Sequence, residues 1–198
     1  MDSNIVLFFD SPLLSWGYES QFYEKRKTAS HPTKSAITGL ICAARGIEKD
    51  NEPEIAKIAG LRLTTYSFGN PERMIDFHIV QPIQAVTKRE YLQECKFAAI
   101  LTGEATFIQE IANKLINPVW MLYIGRKACV PASPIFQGVF EKKADAEAKI
   151  NELCGSMKIS RLVKDTEPNE TATDVLRDVP VNFATMSYYE RNVSIINY

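Results

Sequence analysis

The chain has two histidines, His31 and His78, and few other residues grouped for chemistry. Asp76 stands two positions before His78, and on a strand both side chains leave the same face. Such a pair suits a carboxylate-oriented base, and equally an ordinary hydrogen-bonded surface couple. Metal-free RNA cleavage needs one group to take the 2′-hydroxyl proton and another to protonate the leaving oxygen. His78 with Lys88 or Lys127 fills those roles on paper, and so does His31 with Tyr18 or Tyr23. The sequence does not choose between them. Cys42, Cys95, Cys129 and Cys154 are widely separated, with no paired metal-ligand spacing. There is no phosphate-binding glycine fingerprint, nucleophile elbow or HExxH motif, so no cofactor and no structural metal are expected.

Aromatic and basic residues do recur together. Trp16, Tyr18, Phe22 and Tyr23 precede Lys25-Arg26-Lys27, Arg89 is close to Tyr91, and Tyr123 is close to Arg126-Lys127. Single-stranded RNA is held by bases stacked on rings and phosphates met by cations. Taken singly, Trp16 also reads as a core plug and Arg126-Lys127 as a solvated strand end; their joint occurrence favours binding. From Lys25 to Arg45 there are five basic residues and no acidic one, and no acid occurs between Glu110 and Glu141. Lys34 falls in the first turn of a helix expected to start near Thr33 and stop at Gly46, where the helix dipole disfavours a cation. An anion shared by Lys34 and free backbone N–H groups would resolve that mismatch, and so would simple solvation. The reading that follows is one phosphate surface formed by the Thr33 helix start and the loop at Arg126.

The elements that must position these residues follow from periodicity. Ile5 to Phe9 reads as a buried strand, Pro53 opens a short helix from Glu54 to Ala59, and Leu61 to Phe68 is a strand. Met74 to Val86 is expected to be a hairpin projecting from the body, with Pro82 excluded from a central strand. Within it, only Ile75, Phe77 and Ile79 have a period that would bury them in the main core. Cys95 to Leu101 reads as a central strand, Ala105 to Ile116 as a helix, and Val119 to Ile124 as the next strand. Ala144 to Leu153 is a further helix and Lys158 to Val163 a strand. Asp165 to Asp178 looks the least ordered, and the tail from Val181 offers Tyr188, Tyr189 and Tyr198 for packing or an interface. This order predicts an α+β sandwich with two helices against an antiparallel sheet. At 198 residues, 45% hydrophobic and 24% charged with a formal net charge of −1, the chain suits one core or two small lobes. MDSNIVLFFD carries an acid and no basic n-region, so no signal peptide is expected, and four reduced, mostly buried cysteines in a cytoplasmic protein are expected.

The ordered set of motifs resembles the CasD family, the subunit at the crRNA 5′ end in type I CRISPR surveillance (Cascade) complexes, and is closest to type I-E. The matching pieces are Pro12-Leu13-Leu14-Ser15-Trp16-Gly17, His31-Pro32-Thr33-Lys34-Ser35 through Gly39-Leu40 to Gly46-Ile47, and Asp76-Phe77-His78. Arg89-Glu90-Tyr91-Leu92 follows, before Cys95-Lys96-Phe97, and then come Leu122 to Cys129 and Pro134-Ile135-Phe136. The resemblance implies an RRM-like, ferredoxin-type palm over 1–140, with a β-hairpin thumb at about 74–94. Residues 141–198 would form a small C-terminal extension packed on the same body. It implies non-catalytic gripping of the crRNA 5′ handle, with contacts to the repeated backbone subunit and the large subunit, and only indirect contact with target DNA. The RNA-binding set is then Trp16, Arg26, Lys27, Lys34, Ser35, His78, Lys88, Arg89, Arg126 and Lys127. A sister branch processes the precursor RNA itself, so repeat-RNA cleavage is the alternative, and a purely structural assembly protein is another.

Overall fold

The computed structural model describes residues 1–21, 25–82, 85–167 and 169–198, with the backbone course alone for residues 19–21 and 80. Phe22 and Tyr23, two of the aromatic candidates, lie outside the described residues. In chain order the elements are β1 (Asp2–Phe9), β2 (Trp16–Gln21), β3 (Lys25–Ala29), α1 (Lys34–Arg45), α2 (Glu52–Ala59), β4 (Arg62–Phe68), β5 (Glu72–Val80) and β6 (Ala85–Gln93). They continue with β7 (Lys96–Glu104), α3 (Ala105–Ile116), β8 (Phe136–Phe140), α4 (Lys143–Cys154), β9 (Ile159–Asp165), β10 (Asp174–Asn182) and β11 (Ser187–Asn197).

A seven-stranded sheet in the order β10-β11-β9-β4-β7-β1-β8, antiparallel throughout, carries the body. A four-stranded sheet, β2-β3-β6-β5, stands beside it and contains one parallel pair, β3 with β6. The alternation of β1 explains why the large sheet is covered on both sides. Ile5, Leu7 and Phe9 pack with α1, α2 and α3 in the main core. Val6 and Phe8 point the other way, into a second cluster closed by Ala146 and Ile150 of α4. The expected pair of helices on one face is therefore supplemented by α2 there and by α4 on the other face.

Helix α1 is bounded as its sequence demands. The Thr33 hydroxyl accepts from the Ala36 N–H at 3.3 Å, and Gly46 ends the helix at φ 71°, a conformation glycine adopts without strain. A Cβ on Gly46 would lie 2.9 Å from Val119. The strand expected over Val119 to Ile124 is absent for a related reason. The Val119 and Trp120 N–H groups donate to the carbonyls of Ala44 and Ala43, at 3.0 and 3.2 Å, so they serve the end of α1 rather than a ladder. The strand beside β1 is instead β8, beginning at Phe136.

Of the segment expected to be least ordered, Asp165 ends β9 and Asp174 to Asp178 open β10, where Asp165 and Asp178 have the buried partners described below. Pro180 sits within β10, which is tolerated at a sheet edge. Tyr188 is half-buried, while Tyr189 and Tyr198 are exposed. Cys42, Cys95 and Cys129 are buried, and burial pushes the Cys42 thiol up to about 11 and that of Cys95 to about 12. No helix among the described residues is long and apolar enough to cross a membrane.

Candidate nucleic-acid interface

The hairpin β5–β6 does not stand alone, because β6 pairs with β3 and brings the Lys25-Arg26-Lys27 run against Lys88 and Arg89. In the parallel pair Lys25 lies opposite Lys88 and Arg26 opposite Arg89, while Phe77 and Asp76 continue the two rows on β5. Alternation divides the sheet into two faces. The first holds Lys25, Lys88, Glu90, Arg73 and the apolar series Ile75, Phe77, Ile79 and Val86. Here the buried Glu90 carboxylate meets Lys25 Nζ at 3.4 Å and Arg73 Nη1 at 3.0 Å, so this face carries its own counter-charge. Lys88 Nζ lies 5.5 Å from the centre of the Phe77 ring. Ile75, Phe77 and Ile79, whose period suggested the main core, are 47%, 61% and 64% exposed. Their alternation follows the small sheet, whose outer face is covered by none of the described residues.

The second face holds Arg26, Arg89, Tyr91, Asp76 and His78. His78 Nε2 is hydrogen-bonded to the Asp76 carboxylate. Arg26 and Arg89 have no ion pair among the described residues, and Arg89 Nε is buried without a hydrogen-bond partner. Arg126 closes this face. Its guanidinium lies 4.7 Å from the Tyr91 ring centre and donates to the carbonyls of Glu90 and Arg26, at 2.9 and 3.0 Å. The residue therefore spans β6 and β3. Gly125 before it takes φ 88°, and a Cβ there would overlap the Ser15 carbonyl at 1.7 Å, which fixes how the loop enters. Lys27 and Lys127 are exposed, and neither forms an ion pair among the described residues.

Three members of the sequence-derived set lie elsewhere. Trp16 is 1% exposed, with its ring edge-on to Phe9 and Phe97 at centroid distances of 5.1 and 5.4 Å. That is a correction: its indole fills the core and is shut off from any base. Lys34 is buried, and its Nζ is 2.9 Å from Asp165 Oδ2. The helix start beside it is not open either, since the Lys34 N–H donates to Asp178 Oδ2 at 2.8 Å. The mismatch of a lysine in the first turn is resolved by carboxylates of the chain itself, and the shared surface expected with Arg126 does not form. Ser35 is half-buried, its hydroxyl 3.2 Å from that of Thr33.

Around that helix start the charges form a closed network. Asp178 also accepts from Arg191 Nε at 2.6 Å and Nη2 at 2.9 Å. Asp165 accepts from the Leu63 N–H at 2.8 Å and is paired with Arg191 Nη1. Burial pushes the Asp165 carboxyl up, but Lys34 and Arg191 outweigh it and hold the group below the usual carboxylate range. Next to the network, His31 is buried and both ring nitrogens lack a hydrogen-bond partner. Desolvation lowers its pKa to about 4, with Arg161 and Arg191 adding to the effect and Asp178 and Asp174 opposing it. Neither Arg73 nor the exposed ring of Phe77 stood out in the sequence. The alternation Ile75-Asp76-Phe77-His78-Ile79 was the available signal, and it fits a covered and an uncovered face equally well.

Comparison with known proteins gives a consistent result. A family model described as CRISPR-associated protein (Cas_Cas5) matches residues 4–194. The CRISPR system Cascade subunit CasD of Escherichia coli (strain K12) is 27% identical over 176 residues, covering 76% of this chain and 77% of that protein. Two solved structures, described as a CRISPR RNA-guided surveillance complex and as the crystal structure of a Cas protein, each match with a TM-score of 0.75 at 24% identity. They cover 98% of this chain, and 89% and 94% of their own. Those two speak for the fold, and the family model spans almost the whole sequence: this chain belongs to the CRISPR-associated protein family (Cas_Cas5).

Proposed function

We propose that the protein is a non-catalytic RNA-binding subunit of a CRISPR surveillance complex. It grips the 5′ handle of the crRNA and contacts the repeated backbone subunit and the large subunit. The observation that carries this reading is the small sheet, where Arg26, Lys27, Lys88 and Arg89 gather without a bound carboxylate among the described residues, in a chain of net charge −1. Cations left unneutralised on one rigid element suit a polyanion. The name of the Escherichia coli relative supports the assembly.

In this reading the palm is RRM-like and spans 1–140. Its support is the chain order β1-α1-β4-β7-α3-β8 with spatial order β4-β7-β1-β8, the arrangement of a split βαβ pair. The thumb is β5–β6, and residues 141–198 are an extension of the same body. The test is to incubate purified protein with labelled repeat RNA, with and without EDTA, and to follow both retention and length. Salt-sensitive retention of intact RNA is expected. Cleavage between defined nucleotides would overturn the non-catalytic assignment and point to His78, which Asp76 already orients.

A further inference from the structure

Arg26 and Arg89 occupy neighbouring positions on two parallel strands, with their side chains on one face and the strands about 4.8 Å apart. Two like charges placed side by side are destabilising, and a fold normally sets an acid between them. Among the described residues the acid in this row is Asp76, opposite Arg89 on β5, and it is bonded to His78 instead. Neither arginine has an ion pair among the described residues, and Arg89 Nε–H is a buried donor with nothing to donate to. A third guanidinium, Arg126, spends its donors on the carbonyls of Glu90 and Arg26, one on each strand. These observations describe a positive site that is held between two strands, short of one acceptor, and bound to no carboxylate among the described residues.

We propose that Arg26 and Arg89 form a clamp for a single phosphodiester group of the bound RNA, with Arg126 as the positioning residue that fixes the register of β3 against β6. Two guanidinium forks can share the non-bridging oxygens of one phosphate, and a turn of the Arg89 side chain toward it brings the orphaned Nε–H to an acceptor. The clamp rests on the RNA-binding reading above and adds to it a count: two arginines, one phosphate.

That count is measurable. For single-stranded RNA each neutralised phosphate contributes roughly 0.7 to the slope of log affinity against log salt. RNA affinity is measured over a salt series for the full-length protein, Arg26→Gln, Arg89→Gln and the double variant, with folding followed by thermal melting. Each single substitution is expected to weaken binding roughly tenfold, the loss of one charge-assisted contact, with little change of slope, because the other arginine still meets the phosphate. The double variant should lose roughly 0.7 from the slope. Losses of roughly 0.7 in each single variant and 1.4 in the double would mean two separate phosphates and would overturn the clamp. Unchanged affinity in the folded variants would overturn it as well, whereas failure of the unaltered protein to bind RNA would overturn the function instead.

Should the glutamine variants not fold, Arg26→Lys with Arg89→Lys keeps both charges and removes both forks. Weaker binding with an unchanged slope is expected, and unchanged affinity would overturn the clamp. A free-anion site is separated by the Arg89 Nε–H resonance in the unaltered protein. RNA should shift it, and inorganic phosphate alone should not; a saturable shift with phosphate and none with RNA would refute the assignment.

Discussion

At the start of α1, Lys34 and Arg191 are buried and share the carboxylates of Asp165 and Asp178; on the small sheet, Arg26 and Arg89 stand side by side and bind no carboxylate among the described residues. Both groups draw on the same stretch of sequence, the run from Lys25 to Arg45 with five basic residues and no acid. What separates them is tertiary structure. The acids that claim Lys34 lie 131 and 144 positions further along the chain. A local count of charge therefore finds cations without distinguishing those already spent on the fold from those left for a ligand. Burial decides the energetics too, because taking one partner from a buried ionic group strands the others in a medium that solvates them poorly.

The sharpest way to break the comparison is Asp178→Ala, which strips the Lys34 N–H and Arg191 Nε and Nη2 of their acceptor together. A loss of about 3–5 kcal/mol is expected from chemical denaturation, against little change in the small sheet. Next is His31. The folded protein keeps it neutral down to about pH 4, whereas the unfolded chain protonates it near 6.5. Its folded pKa is depressed, so its contribution to stability is lost as pH falls from 6.5 to 4, by about 3 kcal/mol in all. His31→Phe should flatten the stability profile across that window. Asp165 acts the same way but later, since its folded carboxyl titrates below its ordinary value and its contribution survives to more acid conditions. A profile unaltered in His31→Phe would show that the histidine is not buried neutral.

Lys34→Met should cost about 2 kcal/mol, because Asp165 keeps Arg191 and the Leu63 N–H and loses one charged partner. The same variant should bind RNA with an unaltered salt slope, and a shallower slope would return Lys34 to the RNA. The smallest expected effect sharpens the contrast from the other side. Arg26→Gln should alter stability by less than about 0.5 kcal/mol, as expected of an exposed side chain with no partner among the described residues, while weakening RNA retention. Melting measured without RNA checks the first half and retention the second.

Much of the body was legible because its signals are local. Thr33 and Gly46 bound α1, Ala105 and Ile116 bound α3, and the unbroken apolar run of Ile5 to Phe9 marked a strand buried on both faces. The small sheet was only half visible. β5 and β6 showed as a hairpin, but β2 and β3, with sequences WGYESQ and KRKTA, lack an alternating apolar pattern and owe their extension to pairing. Trp16 illustrates the same limit. A tryptophan after a turn has one spelling whether it meets a base or lies between Phe9 and Phe97. Arg126 was legible as a functional cation, but its acceptors are main-chain carbonyls on strands 36 and 100 positions away, which no side-chain pattern encodes.

The hydrogen bond from the Lys34 N–H to Asp178 also sets a clock. The two residues are separated by 144 positions, and a ribosome adding roughly 5–20 residues per second takes roughly 7–29 s to cross that interval. Throughout it, the apolar face of α1 already exists while the carboxylate that closes its first turn has not been synthesised. The helix made early thus has its start completed by one of the last strands made, which ties its final packing to late translation.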